Sequence, residues 1–206
     1  TLAVHPPDYR ELVRSFLDLR WHLDHVAATQ AGVPLHDARL GAFTRADVKT
    51  ALAALKAMAL AFEGCEPESL ADEIDRTAVL NDLRVSTALF ERERPHERNP
   101  EFHLSHLLTA YFSLMARADR PIDERGLALA GRLAATPRFL AEAQATLTRP
   151  PLTFTETAIK VAEGGRTLLS EGVPAFAAGL GSESRAAVLA ALGPARVALE
   201  DFVAFL

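Results

Sequence analysis

The chain has 206 residues, 49% of them hydrophobic and 24% charged, the balance of a globular protein rather than a disordered or fibrous one. It contains 38 Ala and 31 Leu but only 15 Val and Ile together, too few β-branched residues to fill a large sheet, so an all-β fold is excluded. A net charge of −5 leaves no basic field for a phosphate backbone, and no uncharged apolar run approaches the roughly 20 residues that a membrane span needs. Neither nucleic acid nor a membrane is expected as a partner.

Prolines divide the chain into apolar-periodic segments of helix length, because proline is tolerated in a first helical turn and breaks an interior. The pattern predicts an all-α, irregular bundle of about nine helices joined by Pro- and Gly-marked turns, one domain over 1–206. The first, 8–29, carries Leu12, Phe16, Leu19, Leu23 and Val26 at three- and four-residue spacing. An irregular stretch, 30–43, separates it from 44–63, where Thr44 and Asp47 form a weak capping box. Segment 68–93 follows, with Leu70, Ile74, Leu80, Leu83 and Ala88 on one face. Asn99-Pro100 then opens 100–118 with a cap and a first-turn proline. Thr136-Pro137 reads the same way and divides 122–135 from 137–147. Thr153 with Glu156 fits a capping box for 153–170. Two last helices are expected over 174–180 and 183–206, with Ser182 as cap and a kink or restart at Gly193-Pro194.

Helical zinc chemistry needs two His four residues apart with a Glu beside the first. The nearest approach, His96-Glu97-Arg98-Asn99-Pro100, has proline where the second ligand should be and reads as a loop and helix start. His22 with His25, and His103 with His106, have helical spacing and could converge if their helices were neighbours. Boundary histidines bonded to backbone or carboxylate are the expectation instead. The acids Asp72, Glu73, Asp75, Asp82, Glu91 and Glu93 alternate with Arg76, Arg84, Arg92 and Arg94, as on a solvated, ion-paired helix face. Gly179-Leu180-Gly181-Ser182 lacks the spacing and lysine of a phosphate loop. Cys65, the single cysteine, excludes an internal disulfide and reads as a structural or exposed thiol. No complete catalytic motif is present. Thr1 to Pro7 lack a basic stretch followed by an apolar one, so no secretory signal is visible and the cytoplasm is the expected location.

A series of short phrases in order carries a family resemblance: Gly32 to Leu40, Ile74-Asp75 with Leu80, Arg98 to Phe102, Pro121 to Arg125, Arg132 to Pro137, Leu147 to Pro151, and Thr155 to Ile159. Over about 30–159 this order resembles the amino-terminal half of the bacterial domain-of-unknown-function-885 family. The resemblance implies an all-helical protein of the wider zincin-like, metallopeptidase-type group. Its His-Glu-x-x-His helix and zinc belong to the carboxy-terminal half, so no metal ligand, cofactor-binding or catalytic residue carries over to these positions. The phrases 121–125, 132–137 and 150–159 would set helix boundaries and packing. The implied function is a non-catalytic scaffold lining a substrate cleft, partnered by a catalytic half on the same or a separate polypeptide, or self-associating. Arg98, Asn99 and Arg125 are the candidate cleft-lining groups, with helix capping and salt bridges as their ordinary alternative. A second reading is a stand-alone helical module that binds a partner or a small ligand. The third, a self-sufficient metal protein, would use His22, His25, His103 and His106.

Overall fold

A computed structural model describes residues 8–206. The expectation read from Thr1 to Pro7 lies outside the described residues. Among those described, every regular element is a helix or a helical turn. The order is α1 Tyr9–Leu23, α2 His25–Gln30, a 3₁₀ turn Pro34–His36, α3 Arg45–Glu63 and α4 Leu70–Ala88, which runs into a π turn, Leu89–Glu93. There follow α5 Pro95–Arg98, α6 Pro100–Ala116, α7 Ile122–Thr146 and α8 Leu152–Thr167, a second π turn Leu168–Gly172, α9 Val173–Ala178 and α10 Ser182–Phe205.

The helices build two apolar cores. Tyr9, Leu12 and Phe16 of α1 pack with Leu55 and Phe62 of α3 and with Val79, Leu80 and Leu83 of α4. Edge-to-face contacts of Phe62 with Tyr9 and Phe16 lock this first core. The second is larger and joins α2, Leu40 and the helices from α6 to α10 through residues such as Leu104, Leu107, Leu129, Leu133, Val188 and Phe202. Arg45 at the start of α3 ties the two sides together. Its guanidinium donates to the carbonyl of Thr146 (3.0 Å) and the hydroxyl of Thr148 (2.7 Å), and pairs with Glu97 at 3.3 Å.

Local chemistry accounts for the helix ends, including those that depart from expectation. Thr44 and Asp47 do form a reciprocal capping box, and Asn99 does cap α6 by accepting from the amide of Glu101. The helix expected over 8–29 is cut at Asp24, whose carboxylate leaves the first helix and accepts from the amides of Val26 and Ala27. The largest correction is at Pro137. Residues 122–135 and 137–147 are one helix, α7, with the proline inside it. Thr136 starts nothing: its hydroxyl turns back on the carbonyl of Arg132 and meets the phenol of Tyr111 in the core. Pro194 is likewise absorbed within α10.

Thr153 is no cap, since α8 already begins at Leu152 after Pro151. Ser182 is the first residue of α10 and not its cap. Asp123 of α7 serves that helix end from a distance, accepting from the Gly181 amide (2.7 Å) and the Ser184 hydroxyl. Those contacts hold the Asp123 carboxyl below the ordinary carboxylate range. The charged face of α4 is ion-paired, but largely across helices. Arg20 of α1 reaches Asp82 (3.4 Å), Lys56 of α3 meets Glu91, and Arg84 meets Glu63 (3.5 Å).

Candidate functional site

The seam between the two cores holds a groove of about 690 Å³, within the range of small-molecule sites. Its apolar side is Leu19 and Leu23 of α1, Val48, Leu52 and Leu55 of α3, and Leu89 and Phe90 after α4. The opposite side is the loop Ala38 to Phe43, with His25 from α2 and His106 from α6. Aromatic packing backs that loop: Phe43 lies 4.9 Å from Phe102 and 4.8 Å from His106, centroid to centroid, and Phe139 stacks on His106 at 5.8 Å.

The loop is fixed by a buried cation. Arg132 of α7 is fully enclosed, an uncommon place for a guanidinium. It donates to the carbonyls of Arg39 (3.1 Å), His25 (3.4 Å) and Ala110, and to the hydroxyl of Thr29. Thr29 has one proton to give, and the Asp37 carboxylate at 2.7 Å is a better acceptor than the His25 carbonyl at 3.1 Å. Asp37 in turn pairs with Arg117 at 3.3 Å. Burial pushes the Arg132 group down to about 10, against the support of Asp37 and Asp24, so it stays charged at neutral pH. His106 completes the clamp by donating from Nε2 to the carbonyl of Leu40 at 2.8 Å. Gly41, at φ +84°, makes the left-handed turn that carries the chain out of it. Gly131 lets α7 approach, since a Cβ there would stand 3.0 Å from Ala38.

His25 is the exception to this well-bonded surround. It is 8% exposed, stacks on His36 at 4.7 Å, and neither of its ring nitrogens has a hydrogen-bond partner among the described residues. Such orphaned buried groups cost about 1–3 kcal/mol and call for an explanation. Burial, with His36 and Arg39 adding like charge, pushes His25 down to about 4. The two histidine pairs whose spacing would allow convergence do not meet at one point. His22 and His25 are edge to face at 6.3 Å, His106 is held by Leu40, and His103 donates to the carbonyl of His96 (2.9 Å). No group of three or more His, Cys, Asp or Glu among the described residues is placed to hold a metal ion. His36, which sequence spacing did not single out, is the true neighbour of His25.

The candidate cleft residues lie elsewhere. Arg98 is exposed at the end of α5, and Asn99 caps α6. Arg125 donates to the carbonyls of Leu114 (3.2 Å) and Met115 (3.0 Å) at the end of α6, and sits over the Phe176 ring. None of the three lines the groove. Cys65 is buried beside the first core.

Buried neutral imidazoles give the fold a definite acid response. Burial pushes His103, like His25, down to about 4, despite the bond to the His96 carbonyl. Unfolded, both rings take up a proton below about pH 6.5; folded, they resist until about pH 4. Their contribution is therefore whole above pH 6.5 and is lost as pH falls towards 4, by about 3 kcal/mol for each ring across that window. Urea unfolding midpoints should fall steadily between pH 7 and 4.5, and His103→Gln should flatten the slope. An unchanged midpoint would contradict the assignment.

A groove on an irregular helical bundle, walled by a clamped loop and empty of any metal-ligating cluster among the described residues, defines the class: an all-α protein with a small-molecule-sized seam. The family described as "Bacterial protein of unknown function (DUF885)" matches residues 26–206, and the chain belongs to it. The chain is also similar to a solved structure described as a putative lipoprotein of unknown function from Shewanella oneidensis. The TM-score is 0.83 at 20% identity, over 96% of this chain and 37% of that one. The chain thus spans little more than a third of that protein, and at this identity the likeness concerns the fold. No curated protein matches. No helix among the described residues is long and apolar enough to cross a membrane.

Proposed function

We propose that residues 1–206 form the helical, non-catalytic half of a longer zincin-like, metallopeptidase-type protein, with zinc and its His-Glu-x-x-His helix on the other half. The observation that carries this reading is the partial coverage: nearly the whole chain superposes on barely more than a third of a longer relative. The family phrases fit a structural role. Asp123 and Arg125 serve helix ends, and Arg132 and Thr136 lie in the buried network. Exposed Leu60, Leu70, Ile74 and Val85 on α3 and α4 offer apolar surface for a second half or a second copy. Arg98, Asn99 and Arg125 remain the residues proposed to face a cleft shared with that half. The test is the gene. A reading frame that runs past Leu206 into a His-Glu-x-x-His segment supports the proposal, and one that ends at Leu206 with no such partner encoded alongside overturns it.

The lipoprotein description of the structural neighbour favours the cell envelope over the cytoplasm for the intact protein. Fractionation of cells expressing the natural gene separates these locations. A second reading, a small-ligand-binding module, is favoured by the groove and the unpartnered His25 within it.

A further inference from the structure

Resting on that second reading, we infer that the groove binds an unbranched apolar carboxylate, a fatty-acid-like chain whose head group meets Arg39 and His25. Three observations converge. His25 lines the groove, is more than nine-tenths buried, and has two ring nitrogens without a partner among the described residues, so a ligand carboxylate oxygen would accept from the one that carries the proton. Arg39 lines the same end, and no hydrogen bond or ion pair of its guanidinium is formed among the described residues. The other arginines on the rim are engaged, Arg20 with Asp82 at 3.4 Å and Arg138 with Glu142 at 2.9 Å. Arg39 is therefore the rim cation available to an anion, and its backbone is already held in place through the bond from Arg132. Preorganisation of that kind spares a binding site the cost of ordering its own loop.

The rest of the groove selects the tail. Leu19, Leu52, Leu55, Leu89 and Phe90 offer hydrocarbon over most of that side, with Asp47, Thr50 and Ser86 as the polar groups among them and Asp24 beside His25. A peptide would bring an N–H and a C=O with every residue, and each needs a partner. The walls on this side are helices whose backbone groups are spent on their own turns, with no strand edge to pair with. An alkyl chain makes no such demand. Charge at one end and hydrocarbon along the walls thus fit a carboxylate head on a simple apolar tail.

Titration calorimetry on the purified protein tests this with dodecanoate, dodecanol and a peptide ending in Leu-Leu-Phe with its carboxylate open. Dodecanoate should bind at one per chain and at least about tenfold more tightly than dodecanol, the worth of a charge-assisted bond. Arg39→Gln, which changes only an exposed side chain, should remove that advantage and leave dodecanol binding as it was. Leu52→Trp should weaken both by filling the apolar side. If dodecanol binds as tightly as dodecanoate, the carboxylate assignment fails while a ligand-binding groove stands. Should the peptide bind more tightly than dodecanoate, the inference fails in favour of a peptide site. If neither lipid binds, the inference and the ligand-binding reading fall together. An unchanged dodecanoate affinity in Arg39→Gln, with the helical spectrum intact, also overturns it.

Discussion

Replacing Arg132 by Met should cost about 3–5 kcal/mol of folding stability, a large fraction of what a domain of this size possesses. The volume is nearly kept, so packing is not the cause. The loss comes from the acceptors that stay behind: the buried-side carbonyl of Arg39, outside any helix, loses its donor, and the helical carbonyls of His25 and Ala110 and the hydroxyl of Thr29 each lose one partner, while Asp37 loses a nearby buried cation. Apolar replacement of a buried ion can be harmless when its partners are replaced as well, but backbone carbonyls cannot be replaced. Arg132→Lys should recover only part of the loss, since one ammonium cannot span the donor directions of a guanidinium. Urea unfolding of the two variants measures this. A loss under about 1 kcal/mol for the Met variant would mean that the network is dispensable.

Phe139→Ala should cost about 3–5 kcal/mol as well, by a different route. Its ring is 2% exposed and stands behind the groove, in contact with Phe43, His103 and His106. Truncation opens a cavity in the second core and removes the surface on which His106 stacks while it holds Leu40. The variant should therefore lose ligand affinity beyond its loss of stability. Phe202→Ala, buried in the same core but away from the loop, should lose stability alone. Equal ligand affinity in both variants would separate the clamp from the groove.

What the sequence disclosed of this fold was local. Apolar spacing in α1, the Thr44 box and the Asn99-Pro100 start are decided by residues within a few positions of one another, and those readings agree with the structure. In α4 the same spacing holds only for Leu80 and Leu83, while Leu70 and Ile74 of the expected face are exposed. Proline misled where burial outweighs a missing bond. Pro137 forgoes one helical hydrogen bond, yet α7 stays continuous because Leu133, Phe139 and Leu140 on either side of it are packed in the core. Asp24 erred in the opposite direction, its capping chemistry cutting a periodic segment that reads as unbroken.

The groove was hidden for a further reason. Arg132 draws its partners from positions 25, 29, 39 and 110, and nothing in the order of the chain announces such a meeting. His25 was visible as half of a pair with His22, but its closest ring is His36, delivered by the turn at Pro34. The irregular stretch 30–43 carried a usable signal. A long loop with little regular structure, in a chain otherwise composed of helices, is where function concentrates.

The division of labour proposed for this chain is tested most directly by metal analysis combined with peptide cleavage. The product of the complete natural gene should hold one zinc per chain and cleave peptides in a chelator-sensitive way, while residues 1–206 alone hold none and cleave nothing. Stoichiometric zinc on residues 1–206, with chelator-sensitive cleavage by that segment alone, would contradict it.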